Sequence, residues 1–202
     1  GRKTGRVRVH FGSPSGPEAA PRWIASGTHE GDGEGTFVVA AGDVNHDGHP
    51  DLLGSAIGAH GPRGEAGAVR LWLGDGTALG RTPAWTAWGP GPEVNFGLVI
   101  AGDFDVNGDG YADALVSAHG ESLTVADGGA VRLYLGSPTG LAPRPTWTMG
   151  GSQARAAFGL ALATGDVNGD GFADLLVSAN LWSGAHAHSG RVELYAGSRT
   201  GP

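Results

Sequence analysis

Three stretches of the chain place oxygen-bearing side chains at a spacing that suits a hard cation. They are Asp43-Val44-Asn45-His46-Asp47-Gly48-His49-Pro50-Asp51, Asp105-Val106-Asn107-Gly108-Asp109-Gly110-Tyr111-Ala112-Asp113 and Asp166-Val167-Asn168-Gly169-Asp170-Gly171-Phe172-Ala173-Asp174. Each reads D-x-N-x-D-G-x-x-D. Where the backbone curls around one point, positions one, three and five aim inward, the glycine at six allows the tight turn, and the carbonyl of position seven can face the centre. The last aspartate closes the shell. Carboxylate, amide and carbonyl oxygens together are a donor set for Ca2+. The predicted side-chain ligands are Asp43, Asn45, Asp47 and Asp51, then Asp105, Asn107, Asp109 and Asp113, then Asp166, Asn168, Asp170 and Asp174. His49, Tyr111 and Phe172 supply backbone carbonyls. Asn-Gly and Asp-Gly are ordinary turn dipeptides on their own, but three evenly spaced copies of the whole pattern point to three Ca2+ sites.

The sites account for most of the acidity. The net charge is -7 over 202 residues, and three aspartates of each loop belong to the 20 acidic residues; three divalent cations would bring the chain close to neutrality. No basic run stands out, which excludes a nucleic-acid partner. No apolar stretch has the length of a membrane span. There is no cysteine, so disulfides play no part. Glycine is abundant at 39 residues with 12 prolines, yet apolar residues make up 40%; this combination suits many short strands joined by tight turns rather than disorder.

The elements that position the loops repeat with them. Gly5-Arg6-Val7-Arg8-Val9, Gly67-Ala68-Val69-Arg70-Leu71, Gly129-Ala130-Val131-Arg132-Leu133 and Gly190-Arg191-Val192-Glu193-Leu194 recur at a period of about 62 residues, longer than common propeller blades. Within a period the pattern predicts four strands. The first is Phe96 to Ala101, matched by Phe158 to Ala163 and by a shortened Phe37 to Ala40. The metal loop follows as a hairpin connection, then a second strand (Leu52 to Ala56, Ala114 to Ala118, Leu175 to Ala179), a glycine-rich loop, the alternating third strand, a turn such as Ser137 to Gly140, and a fourth strand around Trp23, Trp85 or Trp147. No segment has helical periodicity. An EF-hand needs a glutamate at position twelve of its loop, where this chain has Gly54, Val116 and Val177. The expected class is all-β, a β-propeller of four-stranded antiparallel blades. About three and a quarter blades are expected: 1–29 as strands three and four of one, 35–89 and 95–150 as full blades, and 156–202 as strands one to three of another.

The chain resembles the FG-GAP repeat proteins, propellers of the integrin α-subunit type. Phe96-Gly97 and Phe158-Gly159, the D-x-N-x-D-G-x-x-D loops, and Ser55-Ala56, Ser117-Ala118 and Ser178-Ala179 carry the resemblance. The first repeat offers Phe37-Val38 where Phe-Gly is expected, and Asp103-Phe104 reads as an insertion before the middle loop. The resemblance implies a non-enzymatic module for recognition or adhesion outside the cytoplasm, at the cell surface or secreted, with Ca2+ as a mainly structural ion. A carbohydrate-binding lectin propeller and the accessory repeat region of a larger secreted enzyme are the alternatives. An open arc exposes strand edges, so self-association or the remainder of a larger propeller is expected to close the ring. The ligand, protein or glycan, is not specified.

Other residues admit two readings. Trp23, Trp85 and Trp147 share one repeat position, and Trp72, Tyr134 and Tyr195 another with His10, which favours packing. Trp88 and Trp182 have no repeat equivalents and would suit sugar or protein contact. His186 and His188 form an H-x-H that either binds a transition metal or is solvated. Asp103 is a turn residue or a supplementary ligand. No nucleophile elbow, zinc-protease signature or phosphate loop is present, and Glu65, Glu93 and Glu121 have no partner in the sequence that would make one a general acid.

Overall fold

Short apolar runs bounded by glycine form strands throughout the computed structural model, which describes residues 3–61, 64–65 and 67–202. In chain order they are β1 (Arg6–Val9), β2 (Gly12–Ser13), β3 (Gly16–Pro17), β4 (Trp23–Ser26), β5 (Glu34–Gly42), β6 (Asp51–Ala56), β7 (His60–Gly61), β8 (Gly64–Glu65), β9 (Ala68–Trp72), β10 (Trp85–Trp88), β11 (Phe96–Phe104), β12 (Asp113–Ala118), β13 (Ala130–Tyr134), β14 (Trp147–Gly150), β15 (Phe158–Gly165), β16 (Asp174–Ala179) and β17 (Arg191–Tyr195). Among the described residues there is no helix. Two antiparallel sheets have four strands, in the orders β10-β9-β6-β5 and β11-β12-β13-β14. A three-stranded sheet, β15-β16-β17, follows them, and the ribbon β1-β4 precedes them. The hairpins β2-β3 and β7-β8 are small additions. Each four-stranded sheet runs first strand to fourth in sequence order, the meander of a propeller blade.

Sheets pack face to face, so an inner strand is covered on both sides and reads as a continuous apolar run. β12 is buried at every position. Leu53, Val69 and Leu71 of one sheet meet Phe96, Ile100 and Val116 of the next in one core. Leu115, Val131 and Leu133 meet Phe158, Leu175 and Val177 in a second. Each fourth-strand tryptophan packs edge-on against the third-strand aromatic of the following sheet: Trp23 on Trp72 at 5.3 Å, Trp85 on Tyr134 at 5.0 Å and Trp147 on Tyr195 at 5.1 Å. Two of these indoles also donate across the junction, Trp23 Nε1 to Gly80 O at 2.9 Å and Trp85 Nε1 to Ala142 O at 3.0 Å. The repeated aromatics are the packing elements their recurrence suggests.

The Phe-Gly motif has a structural reason. Phe96 pairs with Ala118 and Phe158 with Ala179, and a bulge follows each before regular pairing resumes. The glycine takes the left-handed φ that the bulge requires, +79° at Gly97 and +90° at Gly159, and it rests on a valine and a serine of the preceding sheet, where a Cβ would collide. The serine of strand two accepts the N–H that the bulge displaces: Val99 N to Ser117 Oγ at 3.0 Å and Ala161 N to Ser178 Oγ at 2.8 Å.

The same geometry corrects two expectations about the first repeat and the middle loop. Glu34 pairs with Ala56 and is followed by a bulge, Gly35 has φ +85°, and Phe37 N donates to Ser55 Oγ at 3.0 Å. Glu34-Gly35 therefore fills the Phe-Gly slot, not Phe37-Val38, and β5 is as long as β11 rather than shortened. The hydrophobic pattern misplaced the slot because a carboxylate occupies it. Asp103-Phe104 is not an insertion: Glu34 to Asp43 and Phe96 to Asp105 are equal in length, and both first strands carry a second irregularity near their ends. β15 lacks that irregularity. Asp103 is exposed at φ 62° within it.

Candidate metal centre

All three aspartate loops fold onto the same hydrogen-bond scaffold, and each sits between a first and a second strand. The first aspartate bonds the backbone ahead of it. Asp43 accepts from Asp47 N at 3.0 Å and Gly48 N at 2.8 Å, Asp105 from Gly108 N and Gly110 N at 2.7 Å each, and Asp166 from Gly169 N at 2.6 Å and Gly171 N at 2.9 Å. The third accepting side chain of the curl, at position five, takes the N–H of position seven: His49 N to Asp47 at 2.9 Å, Tyr111 N to Asp109 and Phe172 N to Asp170 at 3.0 Å each. Its other oxygen takes the asparagine amide, Asn45 to Asp47 at 2.8 Å, Asn107 to Asp109 at 2.9 Å and Asn168 to Asp170 at 2.8 Å. Gly48, Gly110 and Gly171 hold φ near the left-handed region, at 86°, 87° and 89°, which is why position six is glycine.

The ninth residue works differently from the other ligands. Asp51, Asp113 and Asp174 are buried and use both oxygens as a clamp. One accepts the N–H of position two (Val44 at 3.0 Å, Val106 at 2.8 Å, Val167 at 3.1 Å). The other accepts the N–H of the glycine two residues beyond strand three (Gly74 at 2.8 Å, Gly136 at 2.8 Å, Gly197 at 2.9 Å). This carboxylate ties three strands together where spacing suggested only two.

The donor chemistry fits a hard divalent cation. Positions one, three, five and nine of each loop carry oxygen donors, and each carboxylate has about four acceptor sites, of which the scaffold uses only some. Asn45 Oδ1 is buried with no hydrogen-bond partner, an orphaned acceptor in the first loop. Among the described residues no three His, Cys, Asp or Glu side chains stand as a ready ligand group, because the carboxylates turn to backbone N–H groups. Among the described residues no ion pair with Lys or Arg reaches the loop aspartates. Burial, with Asp105 and Asp109 adding repulsion, raises the Asp113 carboxyl to about 7 against the two N–H bonds that favour its ionised form, and burial likewise raises Asp51. The exposed Asp166 is lowered, chiefly by the Gly171 N–H.

The remaining sequence-predicted residues fall outside this arrangement. Arg70 lies over the Trp88 ring at 5.9 Å and Arg191 over Trp182 at 5.3 Å, so each unrepeated tryptophan has one face covered. His186 and His188 are exposed. Glu93 is exposed, the Glu65 side chain lies outside the described residues, and Glu121 is not unpaired: it bonds Arg132 at 2.6 Å in a buried pair. Sequence reasoning missed a second buried pair, Glu34 with Arg70. Aligning the bulges, rather than the aromatics, would have found it.

Comparison with known families agrees with this geometry. The FG-GAP repeat model matches residues 35–72, 96–134 and 158–194, more than half of the chain. The chain belongs to the FG-GAP repeat family. The matched segments run from strand one through the aspartate loop to strand three. Among curated FG-GAP relatives, integrin alpha-IIb of Mus musculus is 33% identical over 123 residues, 59% of this chain and 12% of the integrin. Phosphatidylinositol-glycan-specific phospholipase D of Rattus norvegicus is 32% identical over 169 residues, 79% of this chain and 20% of the relative. Integrin alpha-5 of Xenopus laevis is 29% identical over 146 residues, 70% of this chain and 14% of the integrin. The chain spans about a fifth or less of each relative's length.

Proposed function

We propose that this chain is a non-enzymatic, Ca2+-stabilised propeller module for recognition of a protein or surface ligand, working outside the cytoplasm. The observation that carries it is the threefold repetition of one all-oxygen loop whose buried carboxylates lack a counter-charge. Asp43, Asn45, Asp47 and Asp51, with their counterparts in the second and third loops, would hold the ions, assisted by the carbonyls of His49, Tyr111 and Phe172. Bound Ca2+ supplies charge neutralisation there. The residues of the chain then fix each first strand to its second and third. Similarity to integrin α subunits supports adhesion or recognition as the setting, and high extracellular Ca2+ suits loops of this charge.

A further FG-GAP blade is the proposed partner for the last sheet. Val167, Val192 and Leu194 are 59%, 64% and 51% exposed, whereas their repeat equivalents, Val106, Val131 and Leu133, are buried beneath the next sheet. Solution mass tells whether that blade comes from a second copy. The similarity to a phospholipase D over most of the chain favours a second reading, an accessory repeat region of a secreted enzyme. Assaying such an enzyme with and without the segment separates the two.

The test of the calcium reading is calorimetric titration of the chelated chain with Ca2+, together with thermal melts in EDTA and in Ca2+. Uptake of about three ions and a melting temperature restored by Ca2+ are expected. No uptake and no shift would overturn the proposal.

A further inference from the structure

Neighbouring aspartate loops touch one another, and the contacts follow a register. Ala112 N donates to Asp43 O at 3.1 Å, and Ala173 N donates to Asp105 O at 2.9 Å. In both cases position one of a loop is bonded to position eight of the next, the residue just before its buried clamp aspartate. Position four of the first and second loops lies against position seven of the next, and in the first loop it also reaches position six. Gly108 lies against the Phe172 ring so closely that a Cβ would collide with it. In the first loop position four is His46. Its Nδ1 is 2.7 Å from Gly110 O, and its ring packs on Tyr111 at 5.6 Å between centroids.

His46 is the exception that needs explaining. Position four is left-handed in all three loops, with φ 58° at His46, 71° at Gly108 and 79° at Gly169. The other two loops use glycine, which adopts this conformation without cost. A side chain held there is strained, and strain retained at a loop indicates that the side chain is used. The use visible here is a bond to the backbone of the second loop, at the glycine beside the Tyr111 carbonyl.

We propose that His46 is a positioning residue for the second metal loop, and that through it Ca2+ binding at the first loop strengthens binding at the second. This rests on the calcium reading above. Ordering the first loop fixes position four and the carbonyl of position one. Those two groups hold positions six and eight of the second loop, which flank its predicted carbonyl ligand and precede its closing carboxylate. Less ordering then remains for the second ion to impose, which is positive coupling between sites. Linkage requires the effect to be mutual. The second and third loops share the backbone bond but have glycine in place of the histidine, so their coupling is weaker.

The experiment is a Ca2+ titration of the full chain by calorimetry, with site-resolved NMR of the Gly48, Gly110 and Gly171 amides. His46→Gly is the informative variant because it keeps the left-handed backbone and relieves strain. Its metal-free melting temperature should equal or exceed that of the parent, which separates positioning from simple support of the fold. Its affinity at the Gly110 site should fall by about fivefold or more, the lower end of typical coupling between sites, while the Gly171 site changes little. In the reciprocal variant, Asp109→Ala, affinity at the Gly48 site should fall as well. If His46→Gly leaves the Gly110 site unchanged, or Asp109→Ala leaves the Gly48 site unchanged, the coupling is wrong although the calcium reading stands. If none of the three amides responds to Ca2+, both are wrong.

Discussion

Moving one carboxylate between two positions of the first full sheet should test how that sheet is held together. In this sheet Glu34 occupies the Phe-Gly slot and pairs with Arg70, while Ala59 sits in the loop after strand two. In the next sheet Phe96 fills the slot, Arg132 lies over its ring at 6.0 Å, and Glu121, at the place of Ala59, pairs with that arginine. Ala59 and Glu121 are equivalent because each donates its N–H to the alanine ending strand two, Ala56 or Ala118. Glu34→Phe alone gains about 1.5–3 kcal/mol from burying the ring and loses about 3–5 kcal/mol by leaving a buried guanidinium unpaired. The net is a loss of about 2 kcal/mol, or roughly 4–8 °C in melting temperature for a chain of this size. Ala59→Glu alone places two carboxylates on one arginine and overpacks a buried site, at about 1–3 kcal/mol for the packing. The double variant reproduces the neighbouring sheet and should recover to within about 1 kcal/mol of the parent, with a favourable coupling between the two changes. Urea and thermal melts in saturating Ca2+ measure all four corners of the cycle. A fully stable Glu34→Phe, or a double variant no better than the sum of the singles, would refute the reasoning.

Two further outcomes follow from the site. In EDTA, stability should fall as pH rises from about 5 to about 7 and level off above. The Asp113 carboxyl keeps its proton up to about 7 when folded and releases it near 4 when unfolded, so the native state binds more protons across that window and loses its advantage above it. At about 1.4 kcal/mol per pH unit the ceiling over these two units is roughly 3 kcal/mol, read from urea midpoints at each pH; a flat or rising profile in EDTA would contradict it, and saturating Ca2+ should abolish the trend. Separately, Ser117→Ala should cost about 1–3 kcal/mol by stranding the Val99 N–H, which the buried Ser117 hydroxyl now accepts, and hydrogen exchange at Val99 should accelerate selectively.

Repetition made most of the fold legible. The strand patterns, apart from the first strand of the first repeat, the tryptophans at one position, and the aspartate loops between strands one and two lie where their spacing places them. The failures share a cause: pattern reading ranks residues by hydrophobicity, whereas the bulge at the start of strand one selects for glycine. Gly35 satisfies that requirement with Glu34 ahead of it, so the slot was invisible to an aromatic template. Glu121 looked unpaired because its arginine lies one strand away, across a glycine-rich loop. The clamp formed by Asp51, Asp113 and Asp174 was hidden for a related reason. Sequence spacing shows which oxygens a loop contributes, but not that the closing carboxylate also accepts an N–H from the end of strand three.

These clamps and junctions change what the loops explain. A loop that joined only two adjacent strands would stiffen one blade and leave its neighbours unaffected. Here position nine fixes the exit of strand three, position one bonds the next loop, and position four packs against it. At the opposite ends of the sheets neighbours are also bridged by backbone, Glu34 N to Thr4 O and Phe158 N to Gly128 O at 3.1 Å each, while the buried Arg70 and Arg132 pairs are settled within single sheets. In a propeller meander the one-to-two and three-to-four connections share an end, and the two-to-three and four-to-one connections share the other. The aspartate loops therefore form a continuous belt at one end, with variable loops at the other carrying Trp182 and the His186-His188 pair. A belt of aspartate loops in mutual contact runs from blade to blade with one sequence pattern, whereas the loops of the other end differ in sequence between blades. Recognition is thus best sought among the two-to-three and four-to-one loops, where the three repeats diverge in sequence.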